Sequence, residues 1–188
     1  MLSRWKKLSS NIVHKNPWWT YKLDTFQITH GVTGEYHYVH TEGSSMIVPV
    51  LDDGRIILVN QYRFLCEKES IELPCGGVKP GHTYEEMARL ELEEETGYLA
   101  QSWRAAGEFN PFNGATDEIC KVFIARDLSF AKPKPEKTEE FEILMLSPKE
   151  IEGMINEKKI WDGMTLAAWM LVRRQFFNEQ CAIHNKPD

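Results

Sequence analysis

The stretch from Gly76 to Tyr98, GGVKPGHTYEEMARLELEEETGY, constrains this chain more than any other, because a Gly-rich turn runs directly into a helix crowded with glutamates. Thr83 followed three residues later by Glu86 is a capping box, and Gly97 is a helix stop, so a helix is expected from about Tyr84 to Thr96. Successive helical residues are about 100° apart around the axis. On that wheel Glu85, Glu86, Arg89, Glu93 and Thr96 share a solvated side, while Tyr84, Met87, Ala88, Leu90 and Leu92 face the core. Glu91, Glu94 and Glu95 fall among the core-facing residues. A buried carboxylate without a partner is costly and three together repel, so something cationic should meet them. A hard divalent ion with oxygen ligands, Mg²⁺ above all, suits a carboxylate trio at this spacing.

The full pattern is Gly76, five residues, His82, seven residues, then Leu90 to Tyr98 as LELEEETGY. It resembles the box of the Nudix family, whose form is Gly, five residues, Glu, seven residues, Arg-Glu-apolar-any-Glu-Glu-any-Gly-apolar. Gly76, Glu91, Glu94, Glu95, Gly97 and Tyr98 keep the pattern. His82 stands where the family has its first Glu, and Leu90 where it has Arg. In relatives that Arg helps to hold the acidic side chains, so its replacement bears on catalytic rate more than on metal binding.

Composition fits such an enzyme. The chain has 188 residues and is expected to bury one sizeable core. A net charge of -6 argues against unaided binding to nucleic acid or an anionic membrane. Cys66, Cys75, Cys120 and Cys181 show neither CxxC nor zinc spacing, which reads as reduced thiols in a cytoplasm. No apolar run approaches the roughly 18 residues of a membrane span, and the basic Met1 to Lys7 is not followed by a signal-type segment.

Strands are expected at Tyr21 to Thr29, Glu35 to Thr41, Ser45 to Leu51, Arg55 to Tyr62, Ser70 to Leu73, Trp103 to Phe109, Ile119 to Ala125 and Phe141 to Leu146. Asp52-Asp53-Gly54 reads as a hairpin turn. Ser147 and Pro148 begin a second helix running to about Glu157. A third starts at Asp162 or Thr165 and runs to Phe177, with Leu166, Trp169, Met170 and Val172 as its apolar stripe. Lys132 to Lys137, with two prolines, is a loop. This order indicates an α+β or α/β domain with helices covering a mixed sheet. The resemblance sharpens it to a Nudix-type α/β/α sandwich over residues 43–188, preceded by an N-terminal strand extension, 1–42, that serves dimerisation and substrate contact.

The resemblance extends to the ADP-ribose and nucleoside-diphosphate-sugar pyrophosphatase branch through Gln61-Tyr62-Arg63, Glu72-Leu73-Pro74-Cys75-Gly76, Val122 to Leu128 and Asp162 to Leu166. It implies Mg²⁺, with Mn²⁺ as substitute, on Glu91, Glu94, Glu95 and the Cys75 carbonyl. It places a catalytic base in the proline loop, at Glu139 or Glu140. Arg63, Glu72 and Glu118 would contact substrate, and Trp18 or Trp19 would stack on a base. Pro111 lies nearer the box than the corresponding Pro of ADP-ribose hydrolases, which leaves other nucleotide sugars open. A homodimer is implied. The two departures from the box leave a second reading, a nucleotide-sugar-binding or sensing protein without turnover.

Overall fold

A computed structural model describes residues 4–29, 31–132 and 140–183, with side chains described up to residue 177 of the last helix. The N-terminal region is a three-stranded antiparallel sheet of β1 (Lys6–Lys15), β2 (Thr20–Gln27) and β3 (Thr33–His40) in that order. The sequence gives no sign of β1 because register shifts at Lys7/Ser9 and Ile12/His14 break the two-residue alternation that marks a strand. All ten of its residues are exposed, so no buried face imposes a pattern either.

The central sheet contains β4 (Ser44–Pro49), β7 (Cys75–Gly77), β8 (Tyr98–Phe109) and β9 (Cys120–Phe130), in the order β7-β4-β9-β8. Here β4 and β9 run parallel, with Ser44 opposite Cys120 and Pro49 opposite Ala125. Successive side chains of a strand point to opposite faces. Met46 and Val48 with Val122 and Ile124 therefore enter one core, and Ile47 with Phe123 and Ala125 enter another. A strand buried on both faces has to be apolar throughout, which is why this segment reads as a continuous run and not an alternating one.

The first core is closed by α2 (Pro148–Asn156) and α3 (Gly163–Ile183) through Ile151, Ala168, Trp169, Val172 and Phe176. The second is closed by α1 (Tyr84–Glu91) through Ala88 and Leu92. This is the expected sandwich of helices on both faces of a sheet. A further sheet of β10 (Glu142–Leu146), β5 (Ile56–Arg63) and β6 (Lys68–Glu72), with β5 in the middle, carries the chain from the core toward Pro74. Among the described residues no helix is long and apolar enough to cross a membrane.

The Thr83 capping box forms as expected, Thr83 accepting from Glu86 N, and the expected cap Ser147 forms one as well, accepting from Glu150 N, with each glutamate reaching back. Helix α1 differs from expectation in its last turn. Residues Leu92–Thr96 form a π-helical turn closed by Gly97 at φ 74. The wider turn rotates the chain away from the ideal wheel, and such bulges mark functional sites. Thr96, expected on the solvated side, is consequently 1% exposed, while Glu95, expected among the core-facing residues, is 7% exposed; Leu90, also expected in the core, lies before the π-turn and is 39% exposed. Met170 likewise lies outside its expected stripe and is exposed, whereas Trp169 and Val172 are buried. The third helix starts at Gly163 with Asp162 as its cap, Oδ2 accepting from Thr165 N at 2.7 Å.

Candidate active site

The box glycine owes its identity to packing. A Cβ on Gly76 would stand 2.0 Å from Glu91 Cδ and 2.1 Å from Oε1, closer than any real contact. The Glu91 carboxylate occupies the space that any other residue would fill. Glu95, on the π-turn, is aimed at the same turn and accepts from Cys75 N at 3.3 Å. Glu91, Glu94 and Glu95 form one wall of a cavity of about 600 Å³, with Cys75, Gly76 and Gly77 beside them.

The rest of the lining includes basic and aromatic side chains alongside Glu42. Lys15, Arg63 and Lys79 contribute cations, and the β1–β2 turn contributes Trp18 and Trp19. Trp18 is 80% exposed. The turn is nonetheless fixed, because Asn16 Oδ1 accepts from Trp18 N at 2.9 Å and Trp19 N at 2.8 Å. Exposed indoles held by a rigid backbone form a platform that stays apolar without collapsing onto the protein.

Arg63 is anchored from behind. Its Nε donates to Glu72 Oε1 at 2.7 Å and a terminal nitrogen donates to Oε2, a side-on bidentate pair. Glu72 is buried and also accepts from Gln61 Nε2 at 3.4 Å. The hydrogen bond to Glu72 raises the Arg63 pKa, and the nearby charges of Asp162 and Glu95 add to it. Glu72 therefore serves Arg63, and Arg63 lines the cavity.

The Cys75 thiol is pushed well up, by its hydrogen bond to Cys120 first and by burial second, while the same bond lowers Cys120. A thiol held protonated is a poor metal ligand, which leaves the backbone carbonyl as the group Cys75 can offer. With the three carboxylates, that carbonyl would make a donor set of oxygen alone, the chemistry a hard cation requires. Among the described residues no three ligating side chains already converge on one point. The fit therefore rests on the donor set and on the cradle at Gly76.

Glu118 does not line the cavity; it accepts from Ser44 Oγ at 2.6 Å. Glu140 is exposed. Glu139, together with the rest of the proline loop from residue 133, lies outside the described residues. Sequence reasoning passed over Asn16, Lys15, Lys79 and His40, all of which line the cavity. Asn16-Pro17 carried a turn signal that could have located the first of these. Lys15 and His40 carried none, since only the approach of the N-terminal sheet to the box gives them a place, whereas Lys79 lies in the box segment itself. That approach is set by β3: Val39 N donates to Ala115 O at 2.9 Å, Asp117 N to Val39 O at 3.3 Å, and His40 pairs with Asp117 at 2.8 Å.

A sandwich whose central turn and glutamate helix close on a cavity in this way is the architecture of a diphosphate-handling hydrolase fold. The chain belongs to the Nudix family, the NUDIX domain matching residues 41–167. It is 30% identical over 148 residues to ADP-ribose pyrophosphatase of Bacillus subtilis, a match covering 78% of this chain and 80% of that one. It is 28% identical over 156 residues to the methanol dehydrogenase activator of Bacillus methanolicus, covering 82% and 84%. A crystal structure of an ADP compounds hydrolase superposes with a TM-score of 0.82 over 95% of this chain and 97% of that one, at 20% identity, and shows the shared fold. Fold and box together make the protein a Nudix hydrolase.

Proposed function

We propose that this protein hydrolyses the diphosphate linkage of a nucleoside diphosphate sugar, ADP-ribose or a similar compound, to a nucleoside monophosphate and a sugar phosphate. The observation that carries the reading is one cavity combining three carboxylates, an anchored arginine and an indole platform. These match the three parts of such a substrate, namely metal-bound diphosphate, phosphate charge and base. The similarity to ADP-ribose pyrophosphatase supports the substrate class.

In this reading Glu91, Glu94, Glu95 and the Cys75 carbonyl hold Mg²⁺, for which Mn²⁺ substitutes. The ion supplies charge neutralisation on the diphosphate and lowers the pKa of a bound water. Arg63, held in a fixed orientation by Glu72, grips a phosphate oxygen through its free donors. Trp18 and Trp19 stack on the base and orient the linkage against the carboxylate wall. Glu139 or Glu140 takes the proton of the attacking water. The exposed Leu8, Ile12 and Val13 on β1, with Trp5 just before it, are an apolar surface suited to a homodimer, and the reduced thiols suit a cytoplasm.

The test is release of nucleoside monophosphate across a panel of nucleotide sugars with Mg²⁺ or Mn²⁺. Turnover of at least one compound, abolished by chelator, is expected. Nucleotide-sugar binding without turnover would sink the hydrolase reading in favour of a sensor. The exposed Leu90 at the box-arginine position is the observation that favours this second reading, because no guanidinium stands there to brace the carboxylates.

A further inference from the structure

The start of α3 touches the site from behind, in a part of the fold that the proposed reaction does not use. Thr165 is buried on the first turn of α3, and its Oγ1 accepts from Leu73 N at 3.0 Å across 92 residues of sequence. Strand β6 ends at Glu72, so the Leu73 N–H has left the ladder and needs another acceptor in a buried setting. The next carbonyl, Pro74 O, is fixed by Ile47 N at 2.8 Å. The next amide, Cys75 N, donates to Glu95. Three consecutive residues are thus held from three directions: by α3, by the central sheet and by the acidic helix.

We propose that Thr165 is a positioning residue for the metal end of the cavity. Through Leu73 it fixes the path of Leu73-Pro74-Cys75, and that path fixes both the Cys75 carbonyl and the amide that orients the Glu95 carboxylate. Asp162 extends the device. By capping α3 it holds Thr165 in place, and its charge lies close enough to Arg63 to raise the pKa of the guanidinium. The inference rests on the proposed metal site and not on the identity of the nucleotide sugar.

The experiment measures Mn²⁺ binding to the full-length protein by electron paramagnetic resonance, without substrate. Thr165→Val keeps the shape and removes the acceptor, and it should weaken Mn²⁺ about 10- to 100-fold, the usual effect of losing a group that orients a ligand. Thr165→Ser restores the hydroxyl and should return the affinity to near wild type. Ile151→Val, in the core and away from the site, controls for general loosening and should leave Mn²⁺ binding unchanged. If Thr165→Val does not fold, Asp162→Ala, which keeps every atom of Thr165, should give a smaller loss in the same direction. Wild-type affinity in a folded Thr165→Val, or an equal loss in Ile151→Val, overturns the proposal. If the wild-type protein binds Mn²⁺ but hydrolyses no nucleotide sugar, the substrate reading falls and the positioning role stands. If it binds no Mn²⁺, both fall.

Discussion

Replacing Gly76 by alanine tests the site at its tightest point. The new methyl would sit 2.0 Å from Glu91 Cδ and 2.4 Å from Cγ. Carbon atoms rest at about 3.5 Å or more, so the Glu91 carboxylate has to retreat by about 1.5 Å. The obstructing group is the flexible end of a side chain and the backbone need not move, which puts the stability cost at the low end for overpacking, about 1 kcal/mol. The functional cost is larger, since a misplacement of about 1 Å can reduce a rate about 100-fold. Thermal unfolding should therefore show a shift of about 2–4 °C. Turnover of the best nucleotide sugar should fall at least about 100-fold at saturating Mg²⁺. The double-mutant cycle isolates the cause: with Glu91→Ala already present, Gly76→Ala should add less than about 0.5 kcal/mol, the obstructing atoms being gone. An active Gly76→Ala enzyme, or a stability loss that persists undiminished beside Glu91→Ala, would refute the cradle.

Glu95→Gln should leave the unfolding temperature nearly unchanged, because an amide oxygen still accepts from Cys75 N, yet lower turnover by orders of magnitude through the lost metal charge; unchanged turnover would remove Glu95 from the metal site. Glu72→Gln should raise KM about tenfold with a lesser effect on kcat, as a charge-assisted hydrogen bond that fixes Arg63 contributes on the order of 1.5 kcal/mol; a fall in kcat alone would contradict the anchoring role. Ile12→Lys places a charge on the apolar face of β1 and should convert a dimer to monomer in light scattering, whereas a monomeric wild type would rule out that face as an interface. The cap carboxylates of Glu86 and Glu150 are held below the ordinary range, Glu86 by the Thr83 backbone and hydroxyl and Glu150 by the Ser147 hydroxyl and backbone. Their stabilisation is complete above the unfolded pKa of about 4.3 and is lost as pH falls through the lower folded values, so an acid titration of Glu86→Gln should be flatter there than wild type.

The sequence by itself determined the parts of this protein that depend on local chemistry. Capping boxes at Thr83 and Ser147 and the stop at Gly97 are contests among neighbouring backbone groups, and they are settled within a few residues. The apolar runs of β4 and β9 announced a sheet covered on both faces, because burial on both sides leaves no position for a polar residue. The glutamate trio was legible for the same reason, as carboxylates that belong on no apolar face. Only the tertiary structure decided where those carboxylates point. The π-turn at Leu92–Thr96 buries Thr96, which a wheel with a fixed angle per residue puts on the solvated side. The hold of Thr165 on Leu73 is a contact between segments 92 residues apart in the chain. Neither partner of such a contact carries a local signal, because the free energy that selects it exists only once both segments are packed against the same core.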